Sequence, residues 1–294
     1  MFTTLFSMVV TNNTTPQLCP GHLQPPAYIF HDQARPQLQA WRYEPQELLY
    51  CTVGSFFDVS VDGLSAIQLN AKREFLKVYK DHSRLYLAQL HSMDLRHLLF
   101  RLMRQADEFF FFGSLSPRIV RLDIAGTVES INALGTASEE VENGFPLSRI
   151  TIATTRSSPV TLEVLIHTLL HEMVHAFLYS FICRQQTCEQ SRLDAVGMDH
   201  GPTFRALHFA IMKCMSQWHP GLAAEFYSST CGTYVDLPSF HQETRNTQAE
   251  RTPLALGDSP SCNVLIGVDG TRVVIQSIKL REYVQAACFP EDYE

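Results

Sequence analysis

No two cysteines in this chain stand as C-x-x-C, although it carries eight, at positions 19, 51, 183, 188, 214, 231, 262 and 288. That absence argues against a zinc ribbon, which needs paired ligands at that spacing, so no second, structural zinc is expected. Nor do eight scattered cysteines in 294 residues make a disulfide framework, and reduced thiols in an intracellular setting are the expectation. Basic clusters are missing as well. Net charge is −7 and pI about 5.9, with no Lys/Arg run of the kind that marks nuclear import or a phosphate-binding surface. No apolar run approaches the ~20 residues that span a bilayer, so no membrane partner is expected. Met1 to Val10 is mildly apolar but has neither a basic n-region nor a clear cleavage site, which weighs against a signal peptide. No internal repeat is apparent. What remains is an ordinary globular composition, 45% hydrophobic and 18% charged, in a chain long enough to bury a sizeable core.

Against that plain background stands His171-Glu172-Met173-Val174-His175, a match to H-E-x-x-H. Residues four apart on a helix lie about 40° apart around its axis, so both imidazoles can reach one ion. Glu172 points to a neighbouring sector, close enough to serve a metal-bound water as a base without ligating. With 12 His and 17 Glu in the chain, about 0.03 such matches are expected by chance. The flanks favour a helix too. Ser157-Ser158-Pro159 offers a cap followed by proline at the first helical position, and Leu162, Leu165, Ile166, Leu169 and Leu170 form an apolar stripe running into the motif.

A catalytic zinc normally has three protein ligands and an open position for water, so a third ligand is sought downstream. Metzincins would place glycine at 178 and histidine at 181, where this chain has Leu178 and Phe181. Gluzincins take a glutamate from a following helix. Glu189 and Glu225 are available, but Glu189 lies in a polar, cysteine-containing stretch that does not read as helical. His200 is the better candidate, with Glu189 and Asp194 as competitors. Gly201-Pro202 reads as a helix start, and Phe204, Leu207, His208, Ile211, Met212 and Met215 share one face of that helix.

Thr168 to Phe177 around the H-E-x-x-H, followed by His200-Gly201-Pro202-Thr203-Phe204, resembles the SprT-like metalloprotease domain, the family of the DNA–protein crosslink protease Spartan. Asp107-Glu108-Phe109-Phe110-Phe111-Phe112-Gly113-Ser114-Leu115 resembles that family's helix end before its sheet, and Arg149-Ile150-Thr151-Ile152-Ala153 its last strand before the zinc helix. The likeness covers roughly residues 93 to 220. It implies an α+β, zincin-like domain, with helices packed around a small β-sheet and the H-E-x-x-H helix across it. It further implies His171, His175 and His200 as ligands of one catalytic Zn2+, Glu172 as the base, a protein substrate, and by family alone a nuclear place and DNA as a partner. Two departures matter. The segment between His175 and His200 is longer than in Spartan and carries Cys183 and Cys188; a surface insertion of that kind costs little entropy. The missing zinc ribbon removes one of the family's DNA-contacting surfaces.

Around this domain the chain reads as a proline-bearing flexible tail over 1–45, a helical region over 46–92, the metalloprotease domain over 93–235, a polar linker over 236–262, and a C-terminal part over 263–294. Helical spacing is clearest in Leu95, Leu98, Leu99, Leu102, Ala106 and Phe109, and the Phe109–Phe112 run reads as core. Strands are expected at Arg118–Ile124, around Ser130–Leu134 and at Arg149–Thr154, with an acidic loop at Glu139–Gly144. Val264–Val268 and Thr271–Ile275 about Asp269-Gly270 give a hairpin signal with a type I′ turn, before a short closing helix. His167 sits one turn before His171, but three rings from one helix cannot easily surround an ion, so it reads as exposed or supporting. His208 reads as a core histidine that could support the site, and Cys183 and Cys188 as free thiols. The expected chemistry is peptide hydrolysis by a zinc-activated water, with Glu172 relaying the proton. A zinc hydrolase of another substrate class and a partner-binding module without activity are the alternatives; an intact Glu172 speaks against the second.

Overall fold

The computed structural model describes residues 19, 21–23, 25, 37–57, 59, 61–83, 90–115, 119–125, 134–153, 160–196, 200–223, 263–266 and 272–275. Local sequence accounts for most element boundaries. Helix α1 (Pro45–Gly54) starts where the Glu44 carboxylate accepts a bond from the Glu47 N–H at 2.8 Å, with proline in its first turn. Helix α2 (Ala66–His82) opens on a capping box between Ser65 and Gln68. Gln68 then does more than cap. Its buried amide donates to the carbonyls of Ser55 (3.0 Å) and Phe109 (3.2 Å), tying the turn after α1 to the end of α3 (Ser92–Phe110).

The expected stripe on α3 is buried, and Phe109, Phe110, Phe111 and Phe112 are all core residues. Trp218 lies parallel to Phe110 at 5.4 Å and edge-on to Phe109 at 4.6 Å. Helix α3 ends because Phe112 and Gly113 adopt φ of 63° and 67°, a left-handed turn that the buried Asp107 side chain holds by accepting the Leu115 N–H at 3.1 Å.

Strands β1 (Val120–Ala125), β2 (Gly135–Glu142) and β3 (Phe145–Ala153) form a mixed sheet in the order β1-β3-β2, with β1 parallel and β2 antiparallel to β3. The acidic loop expected at Glu139–Gly144 is instead most of a hairpin. Asn143 and Gly144 carry φ of 53° and 80° between the paired residues Glu142 and Phe145, the signature of a type I′ turn. The acids stay in the strand because arginines meet them: Arg149 pairs with Glu140 at 3.1 Å and Asp123 at 3.2 Å, and Arg121 with Glu142 at 2.9 Å. The strand expected around Ser130–Leu134 lies mostly outside the described residues, and β2 begins just after it.

Helix α4 (Leu162–Phe181) packs on β3 and β2. Its cap is Thr161, not Ser157 or Ser158: the Thr161 hydroxyl accepts the Val164 N–H at 3.4 Å. Glu189, read as non-helical, begins helix α5 (Glu189–Val196), and α6 (Pro202–Trp218) starts at Gly201-Pro202 as expected. Among the described residues, six α-helices and this small mixed sheet make the architecture α+β. Among the described residues, no helix is long and apolar enough to cross a membrane.

Part of the expected tail lies among the described residues, and there residues 41–43 pack on the end of α4. Tyr43 is buried and bridges to Ile182, and Trp41 and Arg42 donate to the carbonyls of Ser180 (3.0 Å) and Phe181 (3.1 Å) at the end of α4. Near the other end, β4 (Asn263–Ile266) pairs antiparallel with β5 (Arg272–Ile275). Ile266 faces Arg272, one residue out of step with a two-residue turn on Asp269-Gly270. That turn, the 236–262 linker and the expected closing helix lie outside the described residues.

Candidate metal centre

The helical spacing of His171 and His175 does what it predicts: both rings project from one side of α4, with centroids 5.1 Å apart. His200 reaches them from a separate segment. It occupies the short turn between α5 and α6 with φ of 73°, and the next residue, Gly201, donates its N–H to the Val196 carbonyl at 3.0 Å. This left-handed turn swings the His200 ring back over α4. His200 Nε2 lies 3.0 Å from His175 Nε2, and its ring centre 4.6 Å from that of His171. All three imidazoles offer a ligand nitrogen within 4.8 Å of the others.

One side chain organises them. Phe204, one turn into α6, is buried with its ring centre 4.9 Å from His171, 4.2 Å from His175 and 4.4 Å from His200. His208 follows one turn later, 5.1 Å from the His171 ring. Burial pushes the imidazoles toward neutrality: His171 falls to about 4 and His175 to about 3, by desolvation first and by the neighbouring histidines second. Neutral imidazole is the ligating form. The buried Nδ1 of His175 has no hydrogen-bond partner. On a tetrahedral zinc with bonds of about 2.0–2.1 Å, two ligand nitrogens stand about 3.3 Å apart, close to the 3.0 Å between His175 and His200. The donor set fits such an ion.

Glu172 leaves the histidine face and turns toward β2, where the Ala137 N–H donates to its carboxylate. It is buried, and desolvation pushes its carboxyl up to about 8. Tyr179, one turn past His175, stacks on that ring at 5.6 Å, and its hydroxyl is pushed up by burial and then by the charge of Glu172. Phe204, Tyr179 and the Gly135–Ala137 stretch are the parts of the site that motif reading passed over. Only Phe204 left a signal, in its place on the apolar face of α6.

The other candidates lie elsewhere. His167 is turned to the Leu222 carbonyl at 3.3 Å and stands outside the trio. Glu189 is held by Arg192 on its own helix, at 2.6 and 3.1 Å, and also stands outside it. Asp194 lies on α5, and Glu225 falls outside the described residues. Comparison with family models, with curated proteins and with solved structures gives no match to this chain.

Proposed function

We propose that this chain is a zinc metallopeptidase of the SprT-like kind, with a zincin-like arrangement of its catalytic helix. The observation that carries the reading is the convergence of three imidazoles from two chain segments, two of them (His171 and His175) desolvated, beside a buried glutamate that is not one of them. His171, His175 and His200 would hold the ion, and three ligands leave a position open. Zinc bound there supplies a Lewis acid that acidifies water and polarises a carbonyl.

The remaining work falls to the chain. Desolvation alone would keep Glu172 protonated at neutral pH, and a doubly positive neighbour favours its carboxylate instead. As a carboxylate it takes the proton of the attacking water and returns it to the departing amine. Ala137 N–H fixes its orientation by binding the carboxylate from the β2 side. Phe204 excludes water from behind the imidazoles and limits their rotation.

Strand β2 favours a protein substrate over other classes. It has β3 on one side and, among the described residues, no strand on the other. An extended peptide can therefore bond along that edge next to the site, as peptides do when they add a strand to a sheet. The experiment is turnover of an unfolded protein by zinc-loaded chain and by Glu172→Gln. Loss of about 10²–10⁴-fold in rate with zinc retained is the expected result. Equal turnover by the two proteins would remove the general-base assignment, and no turnover by either would favour a binding module.

A further inference from the structure

A second gathering of metal-type donors lies away from the histidine trio. We infer that Cys19, His22, Cys183 and Cys188 form a structural zinc site that fastens the N-terminal segment to the loop after the catalytic helix. The four ligand atoms come within 4.8 Å of one another, although His22 and Cys183 stand 161 positions apart in the sequence. All three cysteines are buried, none is in a disulfide, and they make a small cluster of their own apart from the main core. Cys188 Sγ lies 3.2 Å from His22 Nε2; tetrahedral zinc with bonds of about 2.3 Å to sulfur and 2.0–2.1 Å to nitrogen would set that pair about 3.6 Å apart. The other ring nitrogen of His22, Nδ1, is buried without a hydrogen-bond partner.

The backbone around these donors is shaped for the task. The His22 N–H donates to the Cys19 carbonyl at 2.9 Å, and the Gly21 N–H is directed at the Cys19 sulfur. A side chain at Gly21 would collide with Gln185, whose Oε1 meets Cys19 Sγ at 2.7 Å. Three backbone bonds hold the two ligand pairs in register: Leu23 N–H to the Arg42 carbonyl at 2.8 Å, Arg42 N–H to the Phe181 carbonyl at 3.1 Å, and Cys183 N–H to the Tyr43 carbonyl at 2.9 Å. The Arg42 guanidinium adds a bond to the Gly21 carbonyl at 3.0 Å.

Three thiols and one imidazole are the donor set of closed zinc sites, and four protein ligands leave no position for substrate. Binding releases the three thiol protons to solvent and changes no oxidation state. The site also bears on the first one. Cys183 and Cys188 flank the start of the segment that runs through α5 to His200, so an ion here would fix the path by which the third histidine reaches α4.

Cobalt separates this site from the catalytic one, because only the cysteine site can give thiolate-to-cobalt charge-transfer absorption. We expect the reduced, metal-stripped full chain to develop that band on titration with Co2+, and zinc to bleach it. The double variant Cys183→Ser/Cys188→Ser should lose the band, and its zinc content should fall by about one per chain. His200→Ala and Cys214→Ser should both keep the band, so failure of the peptidase reading would leave this result untouched. A reduced wild-type chain with native circular dichroism and no charge-transfer band would overturn the inference. So would non-reduced chain in which two of these thiols prove to be joined in a disulfide.

Discussion

Gly135 makes the room that Glu172 occupies: a Cβ on residue 135 would lie 3.0 Å from both Cγ and Oε1 of Glu172 and 2.6 Å from Thr168 Cγ2. Thr168 and Glu172 stand one turn apart on α4, so the methyl group would wedge between the helix and the first residue of β2. The strand cannot easily yield, because Gly135 pairs with Ile152 and its neighbours continue the ladder to Phe145. Gly135→Ala should therefore shift the carboxylate and lower kcat at least about tenfold, a loss near 1.4 kcal/mol of transition-state stabilisation. Zinc content should stay unchanged, because the three histidines do not touch this position. Parallel kcat and metal measurements check it. An alanine variant with wild-type kcat would show that the glutamate has slack.

The third ligand makes a separate prediction. His200→Ala should lower zinc affinity sharply, because α4 presents two rings to one point and the ion needs closure from another segment. His167→Ala and His208→Ala should keep the catalytic zinc. Elemental analysis of each single variant after dialysis against a chelator, in the Cys183→Ser/Cys188→Ser background so that one site is counted, gives the answer. Zinc kept in His200→Ala but lost in Glu189→Ala would mean a glutamate-ligated site, and the SprT-like reading would fall.

Gln68 carries a stability prediction. Its side chain caps α2 and also satisfies the buried carbonyls of Ser55 and Phe109. Gln68→Ala removes the capping partner and strands both acceptors, with a cost of about 2–4 kcal/mol. Urea unfolding of metal-loaded protein measures it. A loss below about 0.5 kcal/mol would show that water replaces the amide at both carbonyls.

Features encoded in a few neighbouring residues were legible in the sequence; those encoded across the chain were not. The spacing of His171 and His175 and the Gly201-Pro202 start of α6 follow from local rules. The cap of α4 was misplaced because Ser157-Ser158-Pro159 and Thr161 are both good signals, and only the Val164 N–H bond decides between them. Glu139, Glu140 and Glu142 suggested a loop, while Asn143-Gly144, a strong hairpin signal, was in plain view. Those acids are met in the strand by Arg149 on the adjacent β3 and by Arg121 on β1 at the far side of the sheet, and the second pairing spans 21 residues of sequence. The cysteine cluster was invisible for the same reason. A search for C-x-x-C passes over a C-x-x-H paired with a C-x-x-x-x-C more than 160 residues away.

The DNA-linked role implied by the family resemblance meets a charge balance of −7 with no basic run. Each phosphate neutralised by a lysine or arginine contributes roughly −0.9 to the salt slope of duplex binding, and a protein with few such contacts has little affinity to lose. The arginines of the sheet do not help, because Arg149 and Arg121 are already paired with carboxylates. We therefore expect the purified, zinc-loaded chain to bind single-stranded DNA weakly, with binding that vanishes between low and physiological salt. Fluorescence anisotropy over a salt series measures both quantities. Submicromolar affinity at physiological salt would mean that a basic surface has formed despite the composition, and would restore DNA as a direct partner. Weak binding would point instead to recruitment by another protein, and deletion of residues 236–262 would then be expected to abolish that recruitment while leaving peptide hydrolysis intact.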